Sequence, residues 1–127
     1  MKHSEVAEVR NAQIAAQGNR CALCGLPGVA SDPCLDHDHK DGAVRGTLHR
    51  SCNALLGHIE NNRNRRGLGG DAQFMAFCHG VGPYLSKYKF PVTGLIHPTF
   101  KTEDEKRIAR NAKARKVRAT AKAKGKP

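Results

Sequence analysis

Apolar positions in this chain are sparse and grouped, and their spacing switches from helical to alternating and back within the first half. After Ser4 come Val6, Ala7, Val9, Ala12, Ile14, Ala15 and Ala16, and Gly18 follows. That spacing predicts an N-terminal helix with a narrow face of Val6, Val9 and Ile14. Two extended segments are predicted next, Cys34 to His39 and Ala43 to Leu48, with Asp41-Gly42 as the turn centre between them. From Cys52 to Asn62 the apolar residues Ala54, Leu55, Leu56 and Ile59 return to helical spacing. The pattern is therefore a hairpin followed by a helix.

Gly67-Leu68-Gly69-Gly70 reads as a break. Beyond it, Asp71 to His79 and Pro83 to Tyr88 predict two short helices, whose Phe74, Phe77, Cys78, Tyr84 and Leu85 suit core or dimer contacts better than a binding face. Phe90 to Phe100, with Pro91, Gly94 and Pro98, reads as a linker. Thr102 to Glu105 is a capping box with acids in the first turn. The Ala-rich segment after it favours helix, with only Ile108, Ala112 and Ala119 on its apolar face. The expected organisation is an N-terminal helix (1–20), a core (21–62), a basic loop with short helices and a linker (63–100), and a basic tail (101–127).

Composition sharpens this picture. The 127 residues contain no Trp and 5% aromatics, enough for one small domain with little core. Such chains usually need a staple: a disulfide, a metal or a partner subunit. A net charge of +11 points to a polyanionic partner, nucleic acid first, because clustered Lys and Arg release counterions on meeting phosphates. The bland alternative is charge that only aids solubility. Most of it lies after Thr102, in a run that includes Arg110, Lys113, Arg115, Lys116, Arg118 and Lys126. Arg63, Arg65 and Arg66 form a second basic cluster suited to phosphate contacts, or else a solvated loop. The first residues, MKHSEVAEVR, lack the apolar core of a secretory signal, and no apolar run approaches the roughly 18 residues of a membrane span. A reducing cytoplasm is the expected setting, with no membrane partner.

Five cysteines, an odd count, fit metal ligation better than a disulfide framework. Cys21 and Cys24 are spaced so that both sulfurs can reach one ion from a tight turn, although a redox pair has the same spacing. His49 and Cys52 repeat the spacing at the entrance of the predicted helix, completing a donor set suited to a closed tetrahedral zinc site. Cys34 competes with His49 for the fourth position, and Cys78 is left over. Between the pairs, Asp36-His37-Asp38-His39 is too polar for a core strand. Neighbouring strand residues point to opposite faces, so Asp36 and His37 can serve one site only at a strand end or an irregularity.

In this order, Cys21/Cys24, Leu35 to His39, Val44-Arg45-Gly46, His49/Cys52, Asn53 and Leu56-Gly57 resemble the phage recombination endonuclease VII family, a branch of the ββα-metal (HNH, His-Me finger) nucleases. The match covers about one third of the chain. The resemblance implies a small α+β fold: a zinc-clipped ββα-metal core with flanking helices and a basic C-terminal tail. It also implies a nuclease that needs a divalent cation (Mg²⁺ or Mn²⁺) and cuts branched DNA such as four-way junctions, as a homodimer, in the host cytoplasm if phage-encoded. Asp36 and Asn53 match the family's catalytic-metal ligands, His37 its general base and His39 a further active-site position; Arg45 joins the basic residues as a DNA contact. The family commonly has Cys at the position of His49. Some members carry a carboxylate three residues after the Asn, where this chain has Leu56 and, one turn on, Glu60. Two rivals share these features: an HNH nicking or double-strand endonuclease of phage DNA processing or packaging, and a non-catalytic zinc DNA-binding module.

Overall fold

The computed structural model describes residues 1–125; Lys126, counted above with the basic tail, lies outside them. The elements follow the order α1 (Val6–Ala16), β1 (Pro33–His37), β2 (Val44–His49), α2 (Arg50–Asn62), α3 (Asp71–Lys87) and α4 (Glu103–Lys124). The chain is thus a small α+β protein with four helices and one two-stranded sheet. It divides into two compact units, residues 1–82 and 83–127.

In the first unit β1 and β2 pair antiparallel, with Cys34 opposite Leu48 and Leu35 opposite Thr47. The register then slips between Leu35 and His37, an irregularity of the kind that Asp36 and His37 need in order to serve one site. Asp38 and Gly42 close the turn: the Asp38 N–H donates to Ala43 O, the Gly42 N–H donates to Asp38 O, and Gly42 has a φ of +78°. β2 runs directly into α2, with His49 at the N-cap.

The long connection between α1 and β1, residues 17–32, holds the knuckle, where the Gly25 N–H donates to Cys21 O at 2.9 Å. The end of helix α1 is fastened to the sheet through Gln13 and its C-cap residue Gln17. The Gln17 amide donates to Thr47 O and accepts from the Thr47 N–H at 2.9 and 3.0 Å, standing in for a third strand. The fully buried Thr47 hydroxyl donates to Gln13 Oε1. Both backbone groups and the hydroxyl of a buried polar residue are thereby satisfied, as burial demands.

The core is Cys21, Val29 and Leu48, with Ile14, Cys52 and Leu56 against it. Two of these six are members of the proposed metal set, so the apolar core is wrapped around that cluster. Phe74 of α3 is buried beneath the Arg63 guanidinium, 3.9 Å from the ring centroid.

Two expectations change. Asp71 to His79 and Pro83 to Tyr88 form one helix, α3, with Pro83 inside it. A proline inside a helix removes one hydrogen bond and crowds the preceding turn, which a helix of this length can absorb. The basic tail, expected to be partly helical, is helical from Glu103 to Lys124, and the Thr102 hydroxyl accepts from the Glu105 N–H as the capping box predicts. Among the described residues no helix is long and apolar enough to cross a membrane.

Candidate active site and metal cluster

The knuckle and the start of α2 bring Cys21, Cys24, His49 and Cys52 together, with one donor atom of each lying within 4.8 Å of all the others. Tetrahedral zinc with bonds of about 2.0 to 2.3 Å needs donors crowded to this degree. The His49 Nε2 contacts Pro27 O at 3.2 Å while Nδ1 faces Cys24 Sγ at 3.4 Å, and because a carbonyl only accepts, the first contact calls for the ring proton on Nε2. A ring N–H fixed on a carbonyl leaves the other nitrogen free as a ligand.

The thiols report the same crowding. Burial pushes the Cys21 thiol up, but backbone hydrogen bonds from Cys24, His49 and Leu23 outweigh it and bring it to about 6. Cys52 moves the other way, to about 11, through burial and then the neighbouring Cys24 and Cys21 sulfurs. One thiolate forms readily and the next is resisted, a conflict that a divalent cation relieves. The four side chains could hold a zinc ion. Cys34, the competing ligand, is not in the cluster; it lies on β1, where its sulfur receives the Asn53 side-chain amide at 3.4 Å.

On the same hairpin and helix a cleft of about 210 Å³ is lined by Asp36, His39, Asn53, Gly57, Glu60 and Asn61. Asn53, Gly57, Glu60 and Asn61 recur at helical spacing and so share one face of α2. Helical spacing is the signal that joins Glu60 and Asn61 to Asn53 on this face. His37 is exposed and does not line this cleft; its ring centroid stands 5.0 Å from that of His39, which does. The cleft brings together Asp36, His39 and Asn53, with His37 beside His39.

Asp36 is buried, its side chain 9% exposed, and its carboxylate is gripped by Arg45. Hydrogen bonds to Glu60 and then Asp36 raise the Arg45 guanidinium above its already high range, burial opposing. Arg63 is likewise committed within the chain, donating to Leu68 O, Gly69 O and Asp71. Arg65 and Arg66 are exposed. On α4, Arg110, Lys113, Arg115, Lys116 and Arg118 are all exposed.

Residues 2–71, more than half of the chain and the whole of this cluster and cleft, match the family model of recombination endonuclease VII. The chain belongs to the recombination endonuclease VII family. At the level of that family it is a nuclease with DNA as its partner. The endonuclease VII match ends at Asp71, where α3 begins, so the basic arm lies outside it.

Proposed function

We propose that the chain is a divalent-cation-dependent endonuclease of the ββα-metal (HNH) type that hydrolyses phosphodiester bonds in branched or junction DNA. The observation that carries this reading is the convergence of Asp36, His39 and Asn53 on one cleft of a hairpin and helix that also contribute His49 and Cys52 to a cluster of three cysteines and a histidine.

In this reading zinc on Cys21, Cys24, His49 and Cys52 is structural, because four protein ligands leave it no open position. Asp36 and Asn53 offer hard oxygen donors to Mg²⁺ or Mn²⁺, and two protein ligands leave room for phosphate and water. Once bound, such an ion supplies charge neutralisation at the scissile phosphate. His37 acts as general base and takes the proton from the attacking water, a task for which imidazole is suited near neutral pH. His39, its neighbour at the cleft, is the further active-site group. Phosphate contacts come from Arg65, Arg66 and the exposed side chains of α4, with Arg45 and Arg63 engaged inside the chain.

A homodimer fits the exposed apolar side chains at the end of α3, where Tyr84 and Leu85 of the second unit are 65 and 63% exposed. The test is cleavage of a labelled four-way junction beside a linear duplex of matched sequence, with and without Mg²⁺. Mg²⁺-dependent cutting of the junction in preference to the duplex is expected. Binding without cutting at any metal concentration would leave a zinc DNA-binding module, and equal cutting of both substrates would make the enzyme a general HNH endonuclease.

A further inference from the structure

Arg45 spans two carboxylates from different elements. Its Nε and one terminal nitrogen reach both oxygens of Asp36 at 2.6 and 3.1 Å, and its two terminal nitrogens reach both oxygens of Glu60 at 3.2 and 2.8 Å. Asp36 lies on β1, Arg45 on β2 and Glu60 on α2, so one guanidinium from β2 ties together the two elements that give the cleft its carboxylates. We infer that Glu60 and Arg45 form a positioning relay that fixes the Asp36 carboxylate for a divalent cation, and that Glu60 acts through Arg45 instead of binding the cation itself. This rests on the metal-site reading of the cleft given above.

Asp36 needs such a device. It sits where the strand register slips, so the regular ladder does not set its direction. Among the described residues, the hydrogen bonds to its carboxylate come from Arg45. An ionised carboxylate has about four lone-pair sites, and the fork of Arg45 occupies one on each oxygen, which leaves two for a cation. The guanidinium therefore aims the group without blocking it. Asp36, Arg45 and Glu60 together still carry one net negative charge, so the cleft continues to attract a cation.

The same geometry argues against Arg45 as a phosphate contact. Nε, one N–H of the first terminal nitrogen and both of the second are engaged, and a single N–H remains. Lysine cannot reproduce this bridge, because an ammonium has no planar fork to hold two carboxylates edge-on.

The experiment uses full-length, zinc-loaded protein and the charge-conserving variants R45K, E60D and the double variant. Mn²⁺ binding is titrated by electron paramagnetic resonance without DNA, and junction binding is measured by fluorescence anisotropy without added Mn²⁺. R45K is expected to weaken Mn²⁺ binding about 10- to 100-fold, the usual cost of losing a partner that orients a ligand. E60D should cause a smaller loss, the double variant should be no worse than R45K, and junction affinity should stay at the parent value throughout. Unchanged or tighter Mn²⁺ binding in R45K overturns the relay, since a guanidinium that merely plugs the cleft would release it on substitution. A loss from E60D that persists in full in the R45K background makes Glu60 a direct ligand and also overturns it. If R45K does not fold, R45Q takes its place in the same cycle with the same outcomes, and parent Mn²⁺ affinity in E60D overturns the relay in either case. Parent protein showing no Mn²⁺ binding sensitive to D36A would instead overturn the metal-site reading on which the relay rests.

Discussion

Gly46 sits where β2 passes the knuckle so closely that a Cβ would lie 2.9 Å from the Cβ of Ala22. Neither atom can swing away, so Gly46→Ala must push the knuckle off the sheet or distort β2. Overpacking of this kind costs about 1 to 3 kcal/mol, and a urea melt of the variant should show its unfolding free energy lowered by that amount, with a correspondingly lower midpoint. A midpoint equal to the parent's would mean that the two segments can separate freely. Val-Arg-Gly was legible as a motif, but the reason for its glycine lies across the fold in Ala22 and could not be read locally. The clamp of Gln17 on Thr47 was hidden for the same reason, since a glutamine at the end of a helix gives no sign of a backbone partner far along the chain. By contrast, the donor set Cys21, Cys24, His49 and Cys52 was readable, because ligand spacing is a local property. Beside the cleft, His37 is exposed, so its proposed role as base can be tested apart from stability. His37→Ala should slow cleavage on the order of 10²- to 10⁴-fold, the usual worth of a general base, with junction affinity and thermal midpoint unchanged. Cleavage by H37A at the parent rate would move the base to another group, with His39 the first candidate.

At the scale of elements, the sheet has only two strands, and a two-stranded hairpin is marginal in water without something to pack against. Here α1, α2 and the knuckle provide that support around Cys21, Val29 and Leu48, and the knuckle and α2 are joined by their donor side chains. Structural zinc in small finger peptides contributes roughly 10 to 16 kcal/mol, comparable with the ~5 to 15 kcal/mol that holds a typical domain together. Removing zinc with a strong chelator should therefore unfold the hairpin and α2 together, seen as loss of far-ultraviolet circular dichroism and restored by added Zn²⁺. Cys52→Ser should mimic the chelator, while Cys78→Ser, at an exposed position outside the cluster, should leave the fold intact. A chelated protein that keeps its native spectrum would show that the small core suffices alone. Element identity was largely legible: the hairpin, α1, α2 and the capped start of α4 all follow from spacing and end signals. The continuity of α3 through Pro83 was not, because a proline signals a lost hydrogen bond but not whether the flanking turns compensate.

Over the whole molecule, charge and candidate chemistry are segregated. Residues 1–82 hold nine Lys and Arg against eight acids, whereas residues 83–127 hold thirteen against three, so ten of the eleven net positive charges fall in the second unit. The candidate metal cluster and cleft lie wholly in the first. Within α4 the acids sit in the first turn, where Glu103 pairs with Lys106 and Asp104 with Arg107, and the later basic side chains are without ion-pair partners among the described residues. This distribution suits a division of labour in which the arm supplies affinity for any DNA and the first unit supplies discrimination and chemistry. Each duplex phosphate that the arm neutralises adds about 0.9 to the slope of log K against log salt. Deleting the chain from Thr102 onward removes nothing from the first unit and should flatten that slope while weakening junction and linear DNA by the same factor. Phosphate contacts position a protein without telling one DNA from another, so junction preference should survive the deletion. The measurement is a salt series of binding constants for full-length and truncated protein on both DNAs. An unchanged slope would make the arm a bystander despite its charge, and a lost junction preference would transfer structural recognition from the hairpin and α2 to α4.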